Sequence, residues 1–257
     1  MPGLFTMTAR EYLCLGAGLL ALAARAGEPT LAEKICGSYT NVLTVSCMVR
    51  KTTEVQDQTA QMLSRVYYQR PDRLHVENVA PLRRRILSDG AHFYLSQAGW
   101  RKGYSVPLAQ LAGEWQIMQQ SIPGTAMEHL LRLQGTAEEI LDGQPELPVR
   151  RGYQKDKLYV VLAADAQNRL ARLEFFKSRD LAERTAVYRF DNFLHVTNDC
   201  WLAARQRAEV QIQGDTLRET RRFDNLQVNQ PLAAGLFDPK TFFKDIEFVA
   251  DFSELDE

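Results

Sequence analysis

The chain has 257 residues, 45% hydrophobic and 25% charged, close to the globular average; this excludes a disordered chain and leaves enough apolar side chains for one substantial core. Its 31 lysines and arginines nearly balance 32 aspartates and glutamates, for a net charge of −1. Broad attraction to nucleic acid or to anionic lipid surfaces is therefore not expected.

At the N-terminus Arg10 precedes an apolar run from Leu13 to Ala24, and Ala24-Arg25-Ala26 closes it with a small-x-small pattern. Charged region, short apolar region and cleavage pattern in that order predict a secretory signal peptide over residues 1–26, cleaved after Ala26, with a single domain over 27–257. The run is short for a membrane span, and no second run of that length follows. Cys14 stands at the start of the run rather than after it, so it leaves with the signal. Export carries Cys36, Cys47 and Cys200 into an oxidising space. Three cysteines cannot all pair internally. A Cys36–Cys47 disulfide would tie an N-terminal helix to the first strand; three buried thiols acting as small hydrophobes are the alternative.

A short helix is predicted over 29–37, opened by Pro29 and Thr30 and closed by Gly37. From Asn41 the period becomes two: Leu43, Val45, Cys47 and Val49 share one face of a strand. A second strand runs from Gln61 to Arg70, with Met62, Val66 and Tyr68 on the face of Arg70. Pro71-Asp72 breaks it, and Leu74 starts another. Arg84 to Leu87, Phe93 to Leu95 and Trp100 to Val106 continue an antiparallel meander, with Asp89-Gly90 a hairpin turn because glycine tolerates positive φ. Between Pro107 and Gly135 the spacing turns helical and carries Trp115, Ile117, Met118, Ile122 and Met127, predicting either a plug in the core or a movable lid. Strands resume over 148–153, 157–164, 169–176, 183–190, 200–213 and 216–228, with turns at Asn168 and Gly214-Asp215. Regular short strands with turn signals indicate a single antiparallel sheet.

Catalytic and metal patterns are missing. His75, His92, His129 and His195 have no short ligand spacing to another His or Cys and are expected to be solvated or at strand edges. No Gly-x-Ser-x-Gly elbow and no glycine-rich phosphate loop is present, so no catalytic residue, metal or cofactor is assigned. In Arg83-Arg84-Arg85 alternate side chains point to opposite faces of a strand, which argues against a continuous basic surface for nucleic acid.

The strand Leu63–Tyr68, then Arg70-Pro71, Leu74, Ile86-Leu87-Ser88-Asp89-Gly90 and Phe93-Tyr94, resembles the periplasmic outer-membrane lipoprotein carriers, the LolA-like superfamily; Val228-Asn229-Gln230-Pro231-Leu232 and Leu236-Phe237-Asp238-Pro239 resemble the way such domains finish. The resemblance implies a curved antiparallel sheet forming an unclosed β-barrel capped by helices, mainly β with some α. It implies a periplasmic, monomeric, non-enzymatic protein whose partners are acyl chains of lipoproteins or lipids, an inner-membrane release complex and an outer-membrane acceptor. By the same resemblance Arg70 holds a closed lid through hydrogen bonds, and Leu74, at a position often aromatic in the family, lies in the ligand-binding region. Val66, Tyr68, Leu74, Val76, Phe93 and Leu95 are the candidates for the ligand-binding sheet face, and Trp115, Ile117 and Met118 for the cap. Relatives of the same fold act as envelope-stress sensors or bind other lipids. A lipid-modifying hydrolase would need a convergent nucleophile and base, which the sequence does not offer.

Overall fold

A computed structural model describes residues 28–197 and 199–256. The expected signal peptide lies outside the described residues. From Leu31 onward the chain forms one unit.

Two meanders account for most of it. The first runs β1 (Thr44–Val55), β2 (Gln58–Gln69), β3 (Arg73–Ala80), β4 (Arg84–Asp89), β5 (His92–Gln97) and β6 (Lys102–Pro107). The second runs β7 (Glu138–Leu141), β8 (Val149–Lys155), β9 (Leu158–Ala164), β10 (Leu170–Phe176), β11 (Arg184–Thr197), β12 (Cys200–Ile212) and β13 (Asp215–Val228). Antiparallel pairing of β13 with β1 joins them into a 14-stranded, unclosed, curved sheet in the order β14-β6-β5-β4-β3-β2-β1-β13-β12-β11-β10-β9-β8-β7. Six second-half strands fall where alternation places them. The short edge strand β7 escapes it, and so does β14 (Glu247–Val249), a three-residue strand that pairs parallel with β6 at one edge of the otherwise antiparallel sheet.

Helices α1 (Leu31–Ser38), α2 (Gly113–Gln119) and α3 (Met127–Leu130) supply the cap, and α4 (Pro239–Phe242) belongs to the C-terminal strap. The main core lies between cap and concave face. Leu31, Ile35, Ile122, Met127, Leu130 and Leu133 pack there against Val45, Val49, Tyr68, Leu162, Leu202 and Phe223. At about 25 cal/mol per Å² of apolar surface removed from water, this interface is what holds the short helices, which are too short to persist alone.

The convex face of the first meander is covered as well. The Phe242 ring lies tilted against His75, 4.4 Å between ring centres, and 4.8 Å under the Arg85 guanidinium, while Phe243 and Phe248 pack on Tyr94. His75 is thus only 2% exposed, which corrects the expectation of a solvated histidine; the cause is a C-terminal strap that local sequence does not announce.

Candidate functional site

Helix α1 lies across one end of the half-barrel and is held at both of its ends. At its start, the Leu31 amide donates to Glu138 Oε2 (2.7 Å) and the Ala32 amide to the Tyr153 hydroxyl (3.1 Å), which itself donates to the same carboxylate (2.8 Å). These β7 and β8 side chains satisfy amides that a helix N-terminus leaves without partners. Beyond its other end the chain makes a 3-10 turn at Tyr39–Asn41. There Arg70, at the end of β2, donates from Nη2 to the Tyr39 carbonyl (2.8 Å) and from Nε to the Val42 carbonyl (3.2 Å). A cation at carbonyls trailing a helix is favourable in hydrogen bonding and in the helix dipole alike. Arg70 therefore meets the α1 segment and not the 107–135 insertion.

The motifs around Arg70 act as turn chemistry. Ser88 Oγ donates to the Asp72 carbonyl (2.6 Å), Asp89 Oδ1 accepts from the Ala91 and His92 amides (2.8 Å each), and Gly90 has φ +98°. These bonds lock the β2–β3 turn to the β4–β5 turn and fix the strand end that carries Arg70. Asn229 does the same from β13, donating to the Asn41 carbonyl and accepting from the Leu43 amide, both at 2.8 Å.

Strand register brings the six candidate sheet residues to one face. Val66 lies opposite Val76 and Tyr68 opposite Leu74; Ile86 links Val76 to Leu95, and Ser88 links Leu74 to Phe93. Period two then places all six on the concave side, where Val66 and Tyr68 join the main core and Leu74 and Val76 pack against it. Val66, Tyr68 and Phe93 are buried, whereas Leu74, Val76 and Leu95 are half-buried beneath the cap. Of the candidate cap residues, Trp115 sets its ring 6.2 Å from Phe93 yet stays 50% exposed, Ile117 is half-buried, and Met118 is 53% exposed. The tightly packed part of the cap is instead Ile122, Met127, Leu130 and Leu133.

On the other flank of α1 opens a cleft of about 540 Å³, walled by Leu31, Ile35, Tyr39, Val149, Leu170 and Trp201 and rimmed by charged groups including Arg151 and Arg169. Arg169 is braced by Asp165 (2.6 Å) and packs 5.0 Å from both the Phe193 and Trp201 rings. Sequence reasoning missed this cleft because its walls come from strands far apart in the chain.

Cys36, Cys47 and Cys200 are free, buried thiols, which corrects the Cys36–Cys47 pairing. Cys36 Sγ instead contacts Met127 Sδ at 3.7 Å, so α1 turns its thiol toward α3. Burial pushes the Cys36 thiol up to about 11 and the Cys47 thiol to about 12, which keeps both protonated and poorly reactive. Among the described residues no group of three His, Cys, Asp or Glu is placed to hold a metal ion, and no helix is long and apolar enough to cross a membrane.

No family model and no curated protein matches the sequence. Solved structures do match in fold. A Vibrio parahaemolyticus domain named for outer-membrane lipoprotein sorting is 12% identical with a TM-score of 0.55, over 82% of this chain and 96% of its own. A LolA superfamily protein from Nitrosomonas europaea is 14% identical with a TM-score of 0.53, over 82% and 99%. A DUF1329 family protein from Desulfovibrio piger is 9% identical with a TM-score of 0.55, over 82% and 95%. The fold is LolA-like, as the Arg-Pro and Ser-Asp-Gly cassette leads one to expect.

Proposed function

We propose that this chain is a periplasmic, non-enzymatic, monomeric carrier that shelters acyl chains of a lipid or lipoprotein between the concave face of β2–β6 and the cap. It would take cargo from an inner-membrane release complex and yield it to an outer-membrane acceptor. One observation carries the reading: six apolar side chains from three strands share a concave face, and half of them remain part-exposed under a helix that leaves Trp115 and Met118 in water. Apolar surface left wet in the free protein is surface that a hydrocarbon tail can cover, at about 0.8 kcal/mol per methylene buried. The likeness to a lipoprotein-sorting domain agrees with this at the level of fold.

Arg70 acts as the latch of the empty state. Filling the concave face displaces the α1 segment and breaks two charge-assisted bonds, each worth about 1.5–3 kcal/mol, which offsets part of the acyl gain and favours release. Arg70→Leu removes that restoring force. The variant is expected to release a fluorescent acyl probe about tenfold more slowly than wild type. Equal release rates would remove Arg70 from the latch.

Val76→Asp sets a carboxylate into the middle of the floor, and burying it beside a tail costs several kcal/mol. Acyl-probe affinity is expected to fall by more than about tenfold, while Thr59→Asp at the exposed β2 start leaves it unchanged. The reading as a whole is tested by purifying the chain from a periplasm and analysing bound species by lipid mass spectrometry. Acylated species should co-purify; an empty protein that also takes up no acyl chain from vesicles defeats the proposal.

A further inference from the structure

The concave face does not stay apolar along its whole length. Four residues along β2 from Val66, about 13 Å at the rise of an extended strand, Met62 lies on the same face and opposite Lys51 of β1. Lys51 in turn lies opposite Arg221 of β13. Between these two cations sits one carboxylate: Glu219 Oε2 is 2.5 Å from Lys51 Nζ, and Glu219 Oε1 accepts from Arg221 Nε at 2.5 Å. Although burial opposes ionisation, Arg221 and Lys51 together hold the Glu219 carboxyl below its usual range; on the Arg221 side Glu128 of α3 lines the same pocket, whereas Lys51 faces the other way along the sheet.

Beside the triad lies a cleft of about 310 Å³, walled by Ala60, Met62, Pro81 and Leu82 and carrying Lys51 and Arg84. No carboxylate lines it among the described residues. Arg84, an exposed side chain, donates from one nitrogen to a neutral partner, Gln97 Oε1 at 3.0 Å, and pairs with no carboxylate among the described residues. Lys51 is part-buried and Arg84 exposed, so an anion entering the cleft meets one cation already partly out of water and one still solvated, with apolar side chains beside both.

From this arrangement we infer that the cleft seats the anionic head group of the amphiphile, a carboxylate or a phosphate, while the tail runs along the floor toward Val66 and Val76. The inference rests on the acyl-binding reading above and names the ligand class that reading leaves open. The head group pairs with Lys51 and Arg84; Met62 and Leu82 cover the first carbons of the chain. Electrostatics selects the head, and the floor selects for a hydrocarbon of any identity.

Three probes of equal chain length decide it: hexadecanoate, hexadecyl phosphate and hexadecanol, each displacing a fluorescent acyl probe from the purified protein at about pH 8, where both acids are ionised. At least one of the two anions is expected to bind about tenfold more tightly than the alcohol, and which one does identifies the head group as carboxylate or phosphate. Lys51→Met and Arg84→Gln should each reduce that preference several-fold and leave the alcohol unchanged, whereas Glu219→Gln should enlarge it. Equal affinity for all three probes, or a preference that survives both Lys51→Met and Arg84→Gln, overturns the head-group site and leaves the acyl floor standing. Failure of all three to bind overturns both.

Discussion

Replacing Gly124 by alanine is expected to destabilise the protein by about 3 kcal/mol and to loosen the cap from the sheet. Gly124 has φ +81°, and a Cβ built on it would lie 2.6 Å from the Ala203 carbonyl oxygen. The same contact is a bond in the native chain, where the Ala203 amide of β12 donates to the Gly124 carbonyl at 2.8 Å. A side chain here meets two costs at once: about 1–2 kcal/mol for left-handed backbone, and displacement of a buried backbone pair that cannot move cheaply. The turn that follows, with the Thr125 hydroxyl donating to the Ile122 carbonyl at 2.5 Å, seats Ile122, Met127 and Leu130 in the main core, so a shift at Gly124 is felt by all three. Gly99→Ala is the control. Gly99 also has positive φ (+91°), but nothing lies within 4 Å of its Cβ position, and about 1 kcal/mol is expected. Urea unfolding of the two variants, with binding of a hydrophobic dye to report cap opening, separates anchor from ordinary turn. Equal losses would show that the Gly124–Ala203 contact does not hold the cap.

His75 is expected to make the fold acid-sensitive well above the carboxylate range. Burial and then the neighbouring Arg85 cation lower its pKa to about 4, with Glu77 and the Leu236 carbonyl pulling the other way. Neither ring nitrogen makes a well-aligned hydrogen bond, and Phe242 and Tyr67 flank the ring at 4.4 and 5.7 Å. The unfolded chain takes up a proton near pH 6.5, whereas the folded protein resists until about pH 4. Between those values the unfolded state binds more protons, so stability is complete above pH 6.5 and falls as pH drops. At pH 5 the loss is about 2 kcal/mol, before carboxylates with unfolded values near 4.3 begin to contribute. His75→Leu should flatten the urea midpoint between pH 7.5 and 5. A variant that keeps the wild-type slope would assign the acid sensitivity elsewhere. Because His75 lies under the C-terminal strap, proton uptake there should loosen the convex side first, which amide exchange over residues 234–249 can follow.

Local sequence was enough for the long strands and for which of their residues share a face, but not for the short edge strands β7 and β14. Alternation in β1, β2 and β8–β13 is an intrinsic property of a pleated backbone, so it survives without knowledge of the partner strand. Turn residues such as Asp89-Gly90 mark breaks for equally local reasons, and the Arg70-Pro71 and Ser88-Asp89-Gly90 cassette pointed to the right fold. Tertiary structure alone decided what covers each face. Period two separates Val76 from His75 but says nothing about cap or strap, and that is why the histidine looked solvated. Only the pairing of β1 with β13, some 170 residues apart in sequence, assembles Lys51, Glu219 and Arg221 into one triad, just as only the packing of Glu138 and Tyr153 against the start of α1 spans more than 100 residues. Contacts between segments so distant follow from register and closure of the whole sheet, for which no short stretch of sequence carries a signal.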